Sequence, residues 1–415
     1  MTKRGKRVAV SLLVTLALLT TLGIGCGDEN GGNGGKVEII IGHISDMTGP
    51  AATALVPINY AAKDLAKYYN DNELIEGATI KIVEYDARYD PAYDIPGWEW
   101  IRSKGAKIGL TALPTTAETL KPVAARDKMP LWALSYSEVL DDPAGWVFLA
   151  NCPNRGLINP LMKWISENDP NFPTDRPAKV GSAGWNEPYA IACKNAIQEY
   201  ATAHPDKWEY VGGYLAPTGA VTWSSEVIGL KDCDYVWPPS TGTGVPTFIN
   251  QFRNSGGTAT FYGTDAQEAY MGLIVDASGW DRIDGTLAVS PTRWWNETES
   301  PIVDLALTLL ETNHPDEKAE FMHAGVGYVG GFHQLYALFD VLKQAVADAG
   351  GAENFTSQSF YDTAQNFSMQ WPTYEEWTLE PDKRYTWNYV GMYKWSKADQ
   401  DVVRTEEPWY TIYVE

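Results

Sequence analysis

The chain has 415 residues, of which 44% are hydrophobic and 20% are charged. That length suits two or three domains with buried cores. Its 32 Lys and Arg stand against 53 Asp and Glu, a net charge of −21 that argues against nucleic-acid binding. Four Cys without a CxxC spacing and five His without an HxxxH or HExxH spacing argue against a disulfide scaffold and a zinc site. We therefore expect neither a nucleic acid nor a metal as a partner.

The N-terminus has the pattern of an export signal. Four basic side chains within residues 3–7 precede an apolar stretch, Val8–Ile24, and small residues then lead to Cys26. This resembles the lipobox of bacterial lipoproteins, so we expect residues 1–25 to be a cleaved signal peptide and Cys26 to carry a lipid. A signal peptide without a lipid and an uncleaved anchor remain the alternatives. Residues 26–35 are rich in Gly and Asn and predict a flexible tether that holds an exported protein at the membrane.

The first half of the body alternates strands and helices, which predicts βαβ units and a parallel sheet. The predicted strands are Lys36–His43, Thr79–Tyr85, Ile108–Leu113 and Leu131–Leu134. Helical patterns run through Tyr60 to about Asn70–Asn72 and over Ala117–Arg126.

The alternation restarts after residue 152 and predicts a second α/β half, although no sequence repeat is visible. Its predicted strands are Lys179–Ala183, Tyr210–Leu215, Tyr235–Trp237 and Thr258–Tyr262. Its predicted helices are Glu187–Ala203, Phe248–Ser255 and Ala266–Ser278, followed by Ile302–Leu310 and Gly331–Ala349. The tail from Ser368, rich in Trp and Tyr, predicts an antiparallel hairpin with a turn at Pro381–Lys383.

Hydroxyl side chains cluster where two first-half strands end. Thr115 and Thr116 follow the third strand, and Ser135, Tyr136 and Ser137 follow the fourth. Hydroxyls and free backbone N–H groups at a helix N-terminus favour an anionic group such as a carboxylate. The alternative is that they only cap helices.

Aromatic side chains offer a second set of candidates. Trp185 and Trp237 end predicted strands, where ligands of open α/β sheets bind. They are therefore candidates to stack on a ligand, with core packing as the alternative.

Motifs for enzymatic chemistry are weak. Gly325, Gly327 and Gly330 match GxGxxG, but the segment before them does not predict a strand, so helix packing or a turn is the better interpretation. The spacing of Gly181–Gly184 does not fit a nucleophile elbow. We therefore expect neither a nucleotide cofactor nor catalysis.

Several motifs, in order, resemble the solute-binding proteins of ABC transporters, in the branch of the leucine/isoleucine/valine-binding protein. The segments that carry the resemblance are Ile41–His43, Asp46–Ala51, Tyr85-Asp86 with Asp90-Pro91, Trp185–Tyr189, Lys231–Val236, Phe248–Gly256 and Gly263–Asp265. The sequence departs from the family at Leu113–Thr116, where the family has Gly-Pro-x-x-Ser, and at Ala52–Leu55, which lacks the first-loop aromatic of some members.

The resemblance implies an α/β fold of two doubly wound lobes joined by a three-crossover hinge. By position, lobe 1 would comprise residues 36–150 and 287–352, and lobe 2 would comprise 151–286 and 353–415. It also implies the ligand contacts. Hydroxyls of Thr115 or Thr116, Ser135 and Ser137 would hold a ligand carboxylate, Asp265 would meet a ligand ammonium, and Tyr189, Trp237 and Thr241 would face the ligand.

The function implied is capture of an amino acid or a related small carboxylate or amide by lobe closure, with delivery to a membrane ABC permease. A ligand-sensing receptor ectodomain of the same fold is the first alternative, and the lack of a second predicted membrane span disfavours it. An exported hydrolase is the second, and no nucleophile–base pair favours it. The ligand itself stays open between branched-chain amino acids, other amino acids, aromatic acids, amides and short-chain acids.

Overall fold

The computed structural model describes residues 35–369, 377–405 and 408–412. The helices are α1 Ala52–Asp71, α2 Asp94–Ser103, α3 Pro114–Asp127, α4 Glu138–Asp141, α5 Asn154–Asn168, α6 Pro188–Ala203, α7 Ser224–Leu230, α8 Gly244–Asn254, α9 Asp265–Glu268, α10 Met271–Ser278, α11 Trp280–Ile283, α12 Pro301–Asn313, α13 Lys318–Ala324, α14 Gly327–Asp348 and α15 Ser357–Ala364. The strands are β1 Val37–Ser45, β2 Ala78–Asp86, β3 Ile108–Thr111, β4 Leu131–Ala133, β5 Val147–Leu149, β6 Ala178–Trp185, β7 Trp208–Ala216, β8 Tyr235–Trp237, β9 Thr260–Thr264, β10 Leu287–Ser290, β11 Ser368–Met369, β12 Trp377–Thr378, β13 Tyr389–Ser396, β14 Asp401–Arg404 and β15 Tyr410–Thr411.

The predicted signal peptide and Cys26 lie outside the described residues. Within the described ranges, no helix combines the length and apolar character that crossing a bilayer requires.

The first sheet is parallel, with strand order β2-β1-β3-β4-β5. In β1, Ile39 and Ile41 pack into the core that also holds residues of α1 and α14, whereas Ile44 packs with Trp98 and Leu120 on the other side. A parallel strand covered by helices on both faces reads as a continuous apolar run, which is why the β-branched segment of β1 was recognisable. This sheet and its helices form the first lobe.

The second sheet repeats that topology. Strands β7-β6-β8-β9-β10 lie in the same relative order and are parallel, and β13, β14 and β15 extend the sheet through antiparallel pairing. This sheet and its helices form the second lobe. The predicted α/β class with two doubly wound lobes is therefore confirmed.

At two of the predicted lobe boundaries, the element that follows the boundary still belongs to the lobe that the chain was predicted to leave. The predicted boundary at residue 286 precedes β10, but β10 pairs with β9 and β13 and so lies in the second sheet. The predicted return to lobe 2 at residue 353 precedes α15, whose Phe360 packs edge-on against Trp132 and Phe148 of the first sheet. Each crossover thus comes later in the chain than the motif order implied, because pairing and ring packing are not visible in that order.

The tail contains the predicted turn, but its longer antiparallel hairpin lies further along the chain. β13 and β14 pair antiparallel, and residues 397–400 connect them. The predicted turn at Pro381–Lys383 is a smaller feature, a single bridge between Glu380 and Lys383. Turn chemistry at 381–383 was real, but the strands flanking it are too short to form a hairpin.

Arg384 fixes this tail to the first lobe. Its side chain is 2% exposed, and its guanidinium donates to the carbonyl oxygens of Gly145 and Glu380 at 3.1 and 2.9 Å. It also lies over the ring of Phe148. Arg384 therefore holds the last crossover against the end of the first sheet, just before the chain enters β13.

Cys152, Cys193 and Cys233 are buried free thiols. The sequence left open whether two of them are bridged, and the structure shows no bridge among these three.

A candidate solute-binding cleft between the lobes

A cavity lies where the carboxyl ends of the two sheets face each other. In a sheet of order 2-1-3-4-5, the connections after the first and third strands diverge, and ligands bind in the crevice that this leaves. Residues after β1 and β3 line the cavity from one lobe, and residues after β6 and β8 line it from the other. The cavity volume that the centre of a water molecule can occupy is about 140 Å³. One water needs roughly 10–15 Å³ measured in the same way. A small organic molecule fits.

The turn after β1 is shaped by two carboxylates. Asp46 accepts hydrogen bonds from the backbone N–H groups of Gly49 and Ala51, the latter at 2.8 Å. Asp86 at the end of β2 accepts from Met47 N–H at 2.9 Å and Thr48 Oγ1 at 2.7 Å. These bonds account for the acidic residues in the two opening motifs and set the start of α1.

The first lobe contributes a largely apolar wall. Side chains of α1 and of the loop after β3 form this wall, and residues of α14 complete the lining of this lobe. The apolar lining residues of this lobe are Ala51, Ala54, Leu55, Ile58, Ala112, Leu113, Pro114 and Leu134. Gly327 and Gly331 let α14 approach, because a Cβ on Gly327 would lie 2.7 Å from the carbonyl oxygen of Ala54. The GxGxxG segment thus serves helix packing, as the sequence favoured.

Polar groups of the first lobe sit at the ends of β4 and β5. Gln334 of α14 donates through Nε2 to the carbonyl oxygens of Leu134 and Ala150 at 2.7 and 2.8 Å. Asn151 Nδ2 also donates to Leu134 O, at 3.1 Å. Ser135 lines the cavity beside them, and its buried Oγ has no hydrogen-bond partner among the described residues. That hydroxyl is available to a ligand.

The second lobe contributes the acidic wall. Glu187 precedes α6, Tyr189 lies in its first turn, and Asp265 begins α9. Tyr189 OH and Thr264 Oγ1 are 2.7 Å apart, which fixes the phenol ring at the cavity edge. Ser240 is 3% exposed and its Oγ lacks a partner among the described residues.

A hydrogen-bond chain joins the lobes across the cavity. Tyr89, in the turn after β2, donates its hydroxyl to Glu187 Oε2. Thr241 Oγ1 donates to Glu187 Oε1 at 2.7 Å. Next to them, a Cβ on Gly242 would lie 2.8 Å from the carbonyl oxygen of Pro50, so the loop after β8 touches the turn after β1. The described conformation is a closed one.

Burial raises the pKa of both carboxyls. It raises the pKa of Asp265 to about 7, and the N–H of Ala266 and the hydroxyl of Thr264 partly oppose this effect. Burial also raises the pKa of Glu187, against the hydrogen bonds from Tyr89 and Thr241. No lysine, arginine or histidine of the described residues lines the cavity beside these two carboxyls.

Four of the ten residues predicted to bind ligand line this cavity. They are Ser135, Tyr189, Thr241 and Asp265. The order of the family motifs had placed three of them opposite the hydroxyl loop, and the structure brings all four to one cavity.

Thr115 and Thr116 do not line the cavity. α3 begins at Pro114 and is capped by Leu113, so both threonines lie in the first helical turn rather than before it. Thr116 Oγ1 donates instead to Asp94 Oδ1 at 2.8 Å, between α3 and α2. The lining position belongs to Leu113 and Pro114, because proline at the first helical position starts the helix early.

The other predicted residues also lie outside the cavity. Tyr136 packs in the first-lobe core with its hydroxyl 3.4 Å from Asp141 Oδ2, and Ser137 is buried where α4 begins. Trp185 donates through Nε1 to Ala220 O at 2.9 Å, and Trp237 packs edge-on against Tyr262. Both tryptophans are buried within the second lobe, so they fit the alternative of core packing and not that of stacking on a ligand.

Sequence reasoning missed several lining residues, notably Tyr89, Glu187, Ser240, Tyr270, Asn151 and Gln334. Tyr89 and Arg88 have φ near +54° and +55°, so a non-glycine left-handed turn aims Tyr89 at the other lobe. Glu187 was the one with a visible signal, since it follows a predicted strand and starts a predicted helix. No cluster of His, Cys, Asp and Glu suited to a metal occurs in the described part of the chain.

A model of the family described as periplasmic binding protein matches residues 38–399. No curated protein sequence gives a significant match.

Three solved structures show the same fold. A branched-chain amino acid ABC transporter protein from Thermus thermophilus with bound valine is 16% identical, with a TM-score of 0.77 over 91% of this chain and 97% of that one. An ABC-transporter solute-binding protein from R. palustris in complex with 4-hydroxybenzoate is 16% identical, with a TM-score of 0.73 over 90% and 97%. A fatty acid ABC transporter substrate-binding protein from Thermomonospora curvata is 15% identical, with a TM-score of 0.72 over 90% and 92%.

At these identities the structural likeness concerns the fold, whereas the family match spans both lobes. The chain therefore belongs to the periplasmic binding protein family.

Proposed function

We propose that this protein captures an amino acid, or a related small carboxylate or amide, between its lobes and delivers it to an ABC permease. The observation that carries the proposal is the cavity itself, which both lobes line and whose lining combines apolar side chains with hydroxyl, amide and carboxyl groups. One structural relative holds valine, another holds 4-hydroxybenzoate and a third is a fatty acid ABC transporter substrate-binding protein, so the ligand class has to come from this chain's own residues.

The lining offers complementary positions for the two ends of an amino acid. At the start of α3, backbone N–H groups lack helical partners, and with the Ser135 hydroxyl they suit a carboxylate. Across the cavity, the Asp265 carboxyl suits an ammonium or an amide N–H. The apolar wall of α1 then meets a hydrocarbon side chain.

Capture follows from closure. Ligand contacts to both lobes exist only in the closed form, so ligand shifts the population towards that form. A shift from 1:99 to 99:1 needs roughly 5.5 kcal/mol of differential affinity. A few charge-assisted hydrogen bonds of about 1.5–3 kcal/mol each supply that much.

A lipid on Cys26 and the tether that follows it would keep the protein beside the membrane, within reach of the permease. Mass spectrometry of the protein from its native membrane, before and after removal of the acyl chains, tests this part of the proposal. A mature N-terminus elsewhere than Cys26 would contradict it.

Filling the cavity tests the site. Ala266 is a half-buried lining residue, so Ala266→Phe places a ring in the ligand space. A thermal-shift screen of amino acids, amides and small acids on the wild type should give compounds that raise the melting temperature, because ligand that binds only the native state stabilises it by mass action. Ala266→Phe should lower the affinity for each such compound by at least tenfold in calorimetry.

The matched control is Ala203→Phe, which adds the same ring at an exposed position near the end of α6. It should bind like the wild type. If Ala266→Phe binds every hit as well as Ala203→Phe does, the ligand site is elsewhere and the proposal is wrong.

A further inference from the structure

The cavity carries acidic side chains and no basic ones. Glu187 and Asp265 line it, and no lysine, arginine or histidine of the described residues does. A carboxylate enclosed away from water requires a positive partner or a proton. The charge of the bound ligand therefore determines whether the negative charges of Glu187 and Asp265 are compensated.

Glu187 has its geometry set before a ligand arrives. Each of its oxygens accepts one hydrogen bond, from Tyr89 and from Thr241, and its side chain is 4% exposed. A carboxylate has about four lone-pair sites, so roughly two remain for a ligand. The neutral donors that hold Glu187 fix its position without cancelling its charge.

Asp265 is the second carboxyl, and Ser240 is an independent sign of a ligand between the two. Asp265 is half-buried with part of its surface in the cavity. Ser240 lines the same space, 3% exposed, with an Oγ that has no partner among the described residues. A buried hydroxyl without a partner is destabilising unless a bound molecule completes it.

We infer that the natural ligand of this cleft carries a net positive charge, as an organic amine or an amino-acid amide does, and that free acids are rejected. The inference rests on the proposed solute-capture function and narrows its ligand class. A ligand anion would add a negative charge beside Glu187 and Asp265, with only hydroxyls and backbone N–H groups to receive it. An ammonium group instead compensates one carboxyl directly and donates up to three hydrogen bonds.

The apolar wall defines the remainder of the ligand. Leu55, Ile58 and Leu113 line the same cavity as the two carboxyls and belong to the first lobe. A hydrocarbon chain or ring on the amine buries its surface there, at about 25 cal/mol per Å² of apolar area removed from water. An amine with an apolar substituent of amino-acid size thus matches both walls.

Two matched series of compounds test the charge. One is leucinamide, leucine and isocaproate, and the other is phenylalaninamide, phenylalanine and hydrocinnamate; each runs from cation through zwitterion to anion on a shared skeleton. In calorimetry at pH 6, where an α-amino group with a pKa of about 7.7–8.0 is protonated and the free acids are ionised, the amide of at least one series should bind, with at least tenfold higher affinity than its acid and higher affinity than its amino acid. No binding by either amide, or an acid that binds as tightly as its amide, would overturn the inference.

Variants assign the preference to the two carboxyls. Glu187→Gln and Asp265→Asn keep the side-chain shapes and should each lower the affinity for the amide at least tenfold, while the affinity for the acid stays or rises. Glu209→Gln removes one exposed carboxylate from β7 and controls for net charge. Circular dichroism checks that each variant is folded, and the compound series on the wild type needs no variant. A preference that both lining variants retain unchanged would also contradict the inference.

This outcome is separable from that of the proposed function. If an acid wins each series and its binding disappears in Ala266→Phe, solute capture in the cleft stands and only the charge inference is lost. If no compound loses affinity in Ala266→Phe, the proposed function fails with it.

Discussion

Glu268 shares the short helix α9 with Asp265 but points into the second-lobe core rather than the cavity. It is 1% exposed, and its Oε1 accepts a hydrogen bond from Trp395 Nε1 at 3.2 Å. Burial raises the pKa of Glu268 from 4.5 to about 8, with the nearby carboxyls of Asp265 and Glu297 adding to the effect. The folded protein thus keeps a proton on Glu268 at pH values where the unfolded chain has lost it.

The sign of the pH effect follows from this proton. Between the unfolded value of 4.5 and the folded value of about 8, the folded state binds more protons, so its stability falls as pH rises through that window. Glu268→Gln removes this titrating carboxyl. Between pH 5 and pH 8 the variant should therefore lose less unfolding free energy than the wild type, by on the order of a few kcal/mol.

Urea unfolding at the two pH values measures this difference in the wild type and in the variant. Glu209→Gln, which changes an exposed carboxyl, should behave like the wild type. Parallel pH profiles for Glu268→Gln and the wild type would show that Glu268 is not the group responsible.

At the scale of elements, the layers depend on close approaches that only glycine permits. A Cβ on Gly42 in β1 would lie 2.5 Å from Ile101 Cβ, so α2 rests directly on the first sheet. Most strands and long helices were predictable from the sequence, because β-branched runs and 3.6-residue periodicity reflect burial on one or two faces. β5 and α5 were not predicted. In α5, Gly156, Asn159 and Pro160 all have low helix propensity, so the segment did not indicate a helix.

Gly42→Ala tests the approach of α2. The added methyl meets a branched side chain in a packed core, and overpacking of this kind costs about 1–3 kcal/mol of folding free energy. A Cβ on Gly145 would meet nothing nearer than 3.9 Å, so Gly145→Ala should be neutral or slightly stabilising. Denaturant unfolding compares the two, and equal stabilities would contradict the packing described.

For the molecule as a whole, lobe closure involves the protein's own contacts as well as a ligand. The hydroxyl of Tyr89 reaches Glu187 across the cavity, and Pro50 touches Gly242. The sequence located three lining residues through motif order and Ser135 through the hydroxyl cluster at a strand end. It did not locate Tyr89, whose role depends on a left-handed turn, or Gln334, which reaches the cavity from a helix far along the chain. Contacts between distant segments leave no periodic signal, which is why this part of the site was missed.

Tyr89→Phe tests the contact between lobes. It removes one hydrogen bond to a carboxylate, worth about 1.5–3 kcal/mol, so the ratio of open to closed molecules should rise roughly tenfold or more. Small-angle scattering without ligand should give a larger radius of gyration, and any ligand of the cleft should bind more weakly.

Tyr136→Phe is the matched control, because its hydroxyl faces Asp141 within the first lobe. It should leave the radius of gyration unchanged. The same radius and the same affinity in Tyr89→Phe and the wild type would mean that this bond does not hold the lobes together.

The shared strand order of the two sheets has a consequence for how recognition can change over evolution. Each lobe presents its own set of strand-end loops, and the loops of one lobe follow the strands of a sheet that is separate from the sheet of the other lobe. Substitutions that change the contacts of one lobe with a solute therefore leave the sheet of the other lobe unchanged. A new ligand specificity can therefore arise from changes in the loops of one lobe at a time. This is consistent with the same fold holding valine in one relative and 4-hydroxybenzoate in another.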